Sequence, residues 1–290
     1  MAKTRAILRR RRAVQNIRKI TRTMQLIATA RFQRSFSRAT RFRPYSEQIA
    51  RMVANVSAYA QVDHPLLRKV EQPQRIALLI ISANRGLCGG YNSQVINTSL
   101  GFYHERRHLG LDVDLSVVGK KGNAYMRYTG VQVVHRHLLG DNPTYAQVEQ
   151  IADGYRRDFV SGKVDAVYVG YMRFHSASRQ NPEVIQLLPA TPAAPAANQT
   201  SQVVWQHEYE FTPPAEQLLA ELLPEAVSVR LYQCFMDAVV SEHVARMISM
   251  KAATDNATEM IKSLTRDANR ARQSQITGEL TELMGGAEAM

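Results

Sequence analysis

The apolar positions near the amino terminus follow a helical repeat. They recur at alternating steps of three and four residues, with Arg10 filling one slot: Ala6, Ala13, Ile17, Ile20, Met24 and Ile27. This spacing is the a/d repeat of a coiled coil, in which apolar residues pack against a second helix. Because no Gly or Pro precedes Pro44, the sequence predicts one long helix over residues 1–43. We expect Pro44 to kink this helix and the pattern to resume from Tyr45 to about Gln61.

A second long helix is predicted at the carboxyl end of the chain. Pro224 and Glu225 form a helix-initiating pair, and no Gly or Pro follows until Gly278. That stretch would form a rod on the order of 80 Å long, since each residue adds about 1.5 Å. Its apolar and small residues again recur at steps of three and four: Met250, Ala253, Ala257, Ile261, Leu264, Ala268 and Ala271. The many alanines would let a partner helix approach closely.

Each of these two apolar seams needs a helix to cover it. The simplest arrangement pairs the two ends of the chain as a long antiparallel two-helix coiled coil, with the residues between them inserted at one end. The alternative is two separate amphipathic helices that pack on the central domain. Length favours the coiled coil, because such helices would overhang a domain of roughly 150 residues with a radius of gyration of about 15 Å.

The central part of the chain alternates between strand and helix patterns. Strands are predicted at 75–82, 115–118, 131–135, 166–172 and 184–188, and helices at 93–107 and 144–160. This alternation indicates a Rossmann-like α/β domain with a parallel or mixed sheet. The Ala- and Pro-rich stretch from Pro189 to Gln202 predicts a loop or linker.

The predicted fold class is therefore α/β, with a terminal coiled coil and an inserted Rossmann-like domain. Three segments follow from the patterns: an N-terminal coiled-coil helix at 1–64, the Rossmann-like domain at 73–212 and a C-terminal coiled-coil helix at 213–290.

Positive charge is concentrated in the first of these segments. Residues 1–43 hold fourteen Lys and Arg and no Asp or Glu, whereas the formal net charge of the whole chain is +12. A charge confined to one long helix indicates a defined acidic partner that faces that helix. An Arg-rich, acid-free start is also typical of a mitochondrial transit peptide, but such a peptide needs no three-four register. No run of eighteen apolar residues occurs, so no membrane span is predicted.

No catalytic or metal-binding constellation stands out in the sequence. The glycine-rich loop Asn84–Asn92 follows a predicted strand, where phosphate-binding loops occur, but it lacks the Lys and hydroxyl of a P-loop. We interpret it as a tight turn. The basic stretch Gly119–Gly122 could hold an anion, although such turns are usually only solvated. Cys88 and Cys234 are interpreted as buried residues, and we expect no metal and no cofactor.

Aromatic and basic residues alternate between Phe32 and Arg43, as they do in nucleic-acid-binding proteins. Phe32 and Phe36 lie four residues apart and would stack on one helix face, which favours a packed stripe under a basic surface. Two alternatives stay open on this basis: a nucleic-acid-binding protein with a basic helical arm, and a nucleotide-binding enzyme built on the α/β domain.

Three motifs follow one another along the whole chain. They are the segment Arg18–Arg31 (RKITRTMQLIATAR), the loop Arg85–Gly90 (RGLCGG), and a tail made of Ser241–Ala257 and Ala271–Leu283. In this order they resemble the signatures of the γ subunit of the rotary F-type ATP synthase. Arg22 and Arg31 replace the commoner lysines of that family, which keeps the charge.

The resemblance implies a central-stalk rotor subunit. In this family the paired terminal helices form an asymmetric shaft inside a hexamer of α and β subunits. The α/β domain lies at the base, with the ε subunit and the membrane c-ring. Proton-driven rotation of the shaft drives ATP synthesis on the β subunits, and hydrolysis reverses it. The chain would have no catalytic site, would bind neither nucleotide nor nucleic acid, and would lie peripherally on the cytoplasmic face of the bacterial inner membrane.

The same resemblance implies partner-binding residues on the first helix. Near Met24 the family's shaft meets an acidic loop of the β subunits. Lys19, Arg22 and Arg31 would supply complementary charge there.

Four further positions are implied on the last helix. Arg272 and Gln273 match a polar pair that catches a β-subunit loop near the top of the shaft. Arg246 and Thr277 match shaft positions involved in coupling.

Overall fold

The computed structural model describes residues 2–59, 64–68, 70, 72–190 and 213–288. Long helices begin and end the described chain, and a mixed sheet lies between them in sequence. The elements in chain order are α1 (Ala2–Tyr59), a 3-10 turn (Pro65–Leu67), β1 (Arg75–Ile81), α2 (Tyr91–His108), β2 (Asp112–Val118), α3 (Lys120–Thr129), β3 (His135–His137), α4 (Tyr145–Val160), β4 (Ala166–Phe174), β5 (Gln180–Leu188) and α5 (Ala215–Glu288). The predicted fold class is confirmed.

Contacts divide the chain into two compact units. We call residues 1–31 with 245–290 the helical unit, and residues 32–244 the sheet unit. Helices α1 and α5 each contribute to both. The predicted segments 1–64, 73–212 and 213–290 stay a prediction; the contact units group the second part of α1 and the first part of α5 with the sheet.

The sheet unit is built on five strands in the order β3-β2-β1-β4-β5. The first four are parallel to one another, and β5 is antiparallel to β4. Strand β1 lies at the centre, and six of its seven residues are buried. Such a buried, apolar central strand is what a sheet covered on both faces requires. The predicted mixed, Rossmann-like sheet is therefore confirmed.

Three local predictions in the sheet unit are wrong. The third strand covers His135–His137 and not 131–135, because β3 is a short edge strand and the preceding residues are partly in solvent. Helix α3 was missed, since Gly122 and Asn123 stand at its buried positions and hide the apolar repeat. Helix α5 begins at Ala215, close to the start of the predicted segment 213–290, so Pro224 and Glu225 do not initiate it.

Both prolines lie inside continuous helices. The helix α1 runs through Pro44 and α5 runs through Pro224. A proline inside a helix removes one backbone hydrogen bond and costs about 3 kcal/mol. Before Pro224 this cost is offset by packing, because Leu219 and Leu223 are completely buried. The stretch predicted as a loop after Pro189 falls mostly on residues 191–212, which lie outside the described residues.

The helical unit contains a seam between α1 and α5. Val14 packs with Ala257 and Leu264, and partly buried isoleucines from each helix lie beside them. The Thr254 Oγ1 donates a hydrogen bond to the Thr21 Oγ1 (2.8 Å). Thr21 lies later on α1 than Val14, yet its partner Thr254 lies earlier on α5 than the partners of Val14, so the two helices are antiparallel here.

The register predicted for α1 is wrong. Within the helical unit, the buried positions described on α1 recur every seven residues and are Val14, Thr21 and Ala28. The residues predicted for the seam are instead exposed, except for the half-buried Met24: Ala6, Ala13, Ile17, Ile20 and Ile27. The seam contains a threonine and an alanine, so it gives a weaker hydrophobic signal than the isoleucines do. Close approach of the helices favours these small side chains.

The register predicted for α5 is confirmed. Its seam positions are buried at Met250, Ala257, Leu264 and Ala268. The three remaining positions are partly buried: Ala253, Ile261 and Ala271.

Replacing Ala257 or Ala268 by Leu should force α1 and α5 apart. We expect each substitution to lower the free energy of unfolding by about 1–3 kcal/mol through overpacking, as measured by circular dichroism during urea unfolding. Ala252→Leu is the matched control, because Ala252 is exposed on the same helix. Equal unfolding curves for the three variants would mean that the alanines do not face α1.

A buried carboxyl group lies on α5 within the sheet unit. The side chain of Asp237 is 7% exposed, and the Gln233 Nε2 donates a hydrogen bond to its Oδ1 (3.2 Å). Burial raises the pKa of Asp237 to about 6, although the nearby charge of Arg43 opposes this shift. The neutral form of Asp237 is therefore favoured by folding.

The stability of the chain should depend on pH through Asp237. The folded-state pKa of Asp237 lies above the ordinary value of 3.8. The contribution of Asp237 to the free energy of unfolding is therefore fully present below about pH 4 and is lost as pH rises through 6. Asp237→Asn keeps the acceptor oxygen and cannot ionise. We expect the variant to exceed the wild type in unfolding free energy by about 1–3 kcal/mol at pH 7.5 and by almost nothing at pH 4.

Urea titrations at both pH values would measure this difference. Asp255→Asn is the control, since Asp255 is exposed on the same helix. A gain in stability that is the same at the two pH values would contradict the assignment.

Candidate functional site

The outer face of α1 carries an apolar stripe within the helical unit. We call Ile17, Ile20, Met24 and Ile27 the outer stripe; steps of three and four residues place them on one side of the helix. The three isoleucines are 52%, 59% and 50% exposed, and Met24 is half-buried. The sequence pattern predicted these residues for the seam with α5. In the structure they are a second apolar stripe, distinct from the one that packs on α5.

Cationic side chains lie on α1 at the same level as the outer stripe. Lys19 and Arg22 are exposed, and the Arg22 Nη1 donates a hydrogen bond to Gln25 Oε1 (3.1 Å) on the next turn. Arg31 is partly buried. The first acidic residue of the chain is Glu47, so α1 itself supplies no carboxylate near these groups. An exposed apolar stripe on a helix segment that is basic and free of acidic residues matches a partner surface that is apolar and acidic.

The residues implied on α5 lie in different surroundings. Arg272, Gln273 and Thr277 are exposed, and the Thr277 Oγ1 donates to the Gln273 backbone oxygen (3.0 Å). Arg246, in contrast, is buried, with 7% of its surface exposed.

The structure places the residues implied by the resemblance in separate groups. The basic residues of α1 lie near the level of the Thr21–Thr254 contact. Arg272 and Gln273 lie about 27 Å farther along α5, counted at about 1.5 Å per residue. Their roles stay predictions.

Sequence reasoning missed an apolar stripe at the carboxyl end of α5. Counted back from the Thr21–Thr254 contact, the start of α1 is level with about residue 273 of α5. Beyond that level α5 extends past α1. Its large apolar residues there are all exposed: Ile276, Leu280, Leu283 and Met284. Their steps of four and three residues were the available signal.

The basic stretch at Gly119–Gly122 is the start of α3 and not a solvated turn. Its amide groups bond within the protein: Lys120 N to Asn84 Oδ1 (3.2 Å), Lys121 N to Ala83 O (3.0 Å) and Gly122 N to Ser82 Oγ (2.9 Å). Gly119 has φ +93°, and a Cβ there would lie 2.2 Å from the Ser82 carbonyl oxygen. These amides therefore stabilise the turn and are not directed at a phosphate.

Other candidate groups for chemistry have structural surroundings. Cys88 and Cys234 are both buried, as predicted. Among the described residues, no cluster of three or more His, Cys, Asp or Glu could hold a metal ion. None of the described helices combines the length and the apolarity that crossing a bilayer requires.

The aromatic residues of α1 that suggested nucleic-acid binding are packed against protein. The rings of Phe32 and Phe36 stack with their centroids 5.6 Å apart. Both rings also contact Phe174 of β4, at 6.4 and 5.8 Å. The predicted packed stripe is confirmed, and these rings are engaged by the sheet unit.

Comparison with known proteins agrees with this architecture. A family model described as ATP synthase matches residues 3–290. The ATP synthase gamma chain of Rhodopirellula baltica is 43% identical over 299 residues, covering 100% of this chain and 99% of the relative. The ATP synthase gamma chain of Desulfitobacterium hafniense is 39% identical and covers 100% of both chains.

Solved structures show the same fold. A chain of the Euglena gracilis mitochondrial ATP synthase OSCP/F1/c-ring assembly in rotational state 3 has a TM-score of 0.67 and 16% identity, covering 100% of this chain and 95% of that chain. A chain of the Tetrahymena thermophila mitochondrial central stalk and c-ring has a TM-score of 0.59 and 17% identity, covering 81% of this chain and 99% of that chain. From the family model and these full-length relatives, the chain belongs to the family of ATP synthase gamma chains.

Proposed function

We propose that this chain is the central-stalk rotor subunit of a bacterial F-type ATP synthase, with no catalytic site of its own. Family membership supports this function. The observation that carries it is the outer stripe, which leaves large apolar side chains in solvent on a helix whose other face packs on α5. A contiguous exposed apolar surface is typical of a protein interaction site.

The mechanism follows from the different faces of the helical unit. The exposed surface of α1 in this unit carries the apolar outer stripe and basic residues with no acidic ones, whereas the exposed face of α5 carries both acidic and basic residues. Three catalytic β subunits around such a rod would each contact a different face, and so each would have a different affinity for nucleotide. Only contacts that differ between states can shift an equilibrium between them. Rotation of the rod would then exchange the three states in turn.

Proton flow through the membrane c-ring would rotate the chain in the direction that releases ATP, and ATP hydrolysis would rotate it backwards. The partners in this proposal are the α and β subunits, the ε subunit and the c-ring. Two similar solved structures belong to assemblies that contain a c-ring. The chain would act as a peripheral protein on the cytoplasmic face of the bacterial inner membrane.

The basic residues of α1 would attract the acidic loops of the β subunits. Lys19 and Arg22 are exposed on α1 at the level of the outer stripe, so their charges are available for long-range attraction. Arg31 would extend this basic surface along the same helix. The isoleucines would then provide the apolar contact that differs from one side of the rod to the other.

The residues on α5 would act in two ways. Arg272, Gln273 and Thr277 are exposed and would contact the β subunits directly, about one turn from the apolar end of the helix. Arg246 is buried, which supports a role in fixing the geometry of the shaft and not in touching a β subunit.

Reconstitution with purified α and β subunits tests the function. We expect the wild-type chain to raise ATP turnover by the mixture, while the chain alone binds neither ATP nor DNA specifically. Salt-dependent DNA binding at micromolar concentration would favour the nucleic-acid-binding alternative. Heat released on titration of the chain alone with ATP would favour the nucleotide-binding enzyme. A full-length chain that leaves turnover unchanged would contradict the proposal.

A triple variant, Ile17→Gln, Ile20→Gln and Ile27→Gln, tests the outer stripe. The exposed isoleucines contribute little to folding, so urea unfolding of the chain should change by less than about 0.5 kcal/mol per site. Each isoleucine buried by a partner contributes about 1.5–3 kcal/mol, so the apparent affinity for α and β in the turnover assay should fall at least tenfold. Leu109→Gln is the control, because Leu109 is equally exposed in the sheet unit. Unchanged stimulation by the triple variant would exclude the stripe as the contact.

A further inference from the structure

Each long helix contains a proline within the sheet unit, and the residue after each proline belongs to the same hydrogen-bonded group. Pro44 precedes Tyr45 in α1, and Pro224 precedes Glu225 in α5. Proline has no N–H, so it cannot donate to the carbonyl four residues earlier. Each helix is therefore weaker at this position than a continuous ladder of hydrogen bonds would make it.

Glu225 joins the two helices at the level of these prolines. The Tyr45 hydroxyl donates a hydrogen bond to Glu225 Oε1 (2.9 Å). The hydroxyl of Tyr145, the first residue of α4, donates to the same oxygen (2.8 Å). Burial, and then the bond to Glu225, raises the pKa of both tyrosines, so both remain protonated donors. One carboxylate thus connects α1, α4 and α5.

Aromatic packing supports this carboxylate. The ring of Tyr232, two turns along α5 from Glu225, lies 4.8 Å from Phe42 and 5.4 Å from Tyr145. Phe42 also lies 5.7 Å from Tyr45. Four rings from three elements therefore surround the hydrogen-bonded group.

Arg38 closes the same group from the α1 side. Its guanidinium lies over the Tyr232 ring, 5.6 Å from the centroid, and donates to the Tyr232 hydroxyl. It also donates to the Pro143 carbonyl oxygen (3.1 Å), just before α4 begins. We call Arg38, Tyr45, Tyr145, Glu225 and Tyr232 the brace.

The choice of polar groups is informative. Apolar side chains alone would hold the helices together, but they are non-directional and allow sliding and rotation. Hydrogen bonds to an ionised carboxylate are short and directional, and they are stronger than bonds between neutral groups. The bonds to Glu225 and the bonds of Arg38 form two polar groups linked by ring packing, and each group restricts the orientation of the elements that it joins.

We propose that Glu225 is a positioning residue that stiffens α1 and α5 against twisting and bending where each contains a proline. This inference rests on the proposed rotor function. Torque applied to the sheet unit passes into both helices through the segment that contains Pro44 and Pro224. The brace reduces the bending and twisting of the two helices at the prolines under that torque. Its role is mechanical, and it does not contact nucleotide.

The stiffness can be measured on the chain assembled with α and β subunits and fixed to a surface without ATP. A probe is attached through Tyr128→Cys, since Tyr128 is 89% exposed in the sheet unit and the chain's own two cysteines are buried. The variance of the probe angle at rest is inversely proportional to the torsional stiffness between probe and ring. We expect Glu225→Ala to raise this variance about twofold or more, because two directional bonds are lost beside a gap in each helix ladder.

Matched variants separate positioning from folding stability. Tyr45→Phe with Tyr145→Phe keeps every ring and removes both donors, so it should reproduce the effect of Glu225→Ala. Glu225→Gln keeps an acceptor oxygen and should restore part of the stiffness. Glu221→Ala, at an exposed position one turn earlier on α5, should leave the variance at its wild-type value.

The outcomes decide the inference. Suppose that Glu225→Ala lowers the melting temperature and yet leaves the variance of the probe angle at 25 °C at the wild-type value. In that case Glu225 is only structural and the inference is overturned. If Glu225→Ala does not assemble, the double tyrosine variant decides by the same criterion. If the wild-type chain itself does not assemble with α and β subunits, the proposed function fails and the inference fails with it. If the wild-type complex works but the variants leave the variance of the probe angle unchanged, the inference is overturned and the proposed function stands.

Discussion

The close packing of α1 on α5 determines which side chains of the helical unit remain for other proteins. Alanines at the α5 seam let α1 approach so closely that it presents small or β-branched residues there: Val14, Thr21 and Ala28. The longer side chains of Ile17, Ile20 and Ile27 do not lie in this seam and are turned to solvent. The seam and the outer stripe are thus two results of one packing arrangement. A shaft with one covered face and one apolar exposed face is asymmetric by construction, which is the property that coupling to a three-fold ring requires.

Local sequence patterns were sufficient to predict an element wherever its buried positions coincide with its apolar repeat. Strand β1 is apolar on both faces, and the α5 seam combines large and small residues in an uninterrupted repeat, so both were predicted in register. The α1 register failed because periodicity counts apolarity and ignores volume. Thr21 fits the seam through its size and its bond to Thr254, neither of which one helix can reveal on its own. The start of α5 failed for a related reason, since tertiary burial of Leu219 and Leu223 overrides the local signal of Pro224.

The candidate site was only partly accessible to sequence reasoning. Similarity to a family transfers roles to positions, but it does not say which face of a helix each position occupies. Lys19 and Arg22 are exposed as a charge-steering role needs, whereas Arg246 is buried and cannot act in the same way. The exposed residues at the end of α5 were missed because they lie beyond the length of α1, and that length is meaningful only once the pairing is known.

The two parts of α1 and of α5 are held by different kinds of contact, and this difference has a physical reason. In the helical unit, shape complementarity between small residues suffices, because an uninterrupted ladder of backbone hydrogen bonds already makes each helix stiff. In the sheet unit, Pro44 and Pro224 interrupt those ladders. Apolar packing alone would restore the stability lost at these prolines, but it would not fix the orientation of the helices. The hydrogen bonds from Tyr45 and Tyr145 to Glu225 are directional, and they lie at the level where both helices lack a backbone hydrogen bond. They therefore replace the orientational restraint that the missing backbone bonds would have provided.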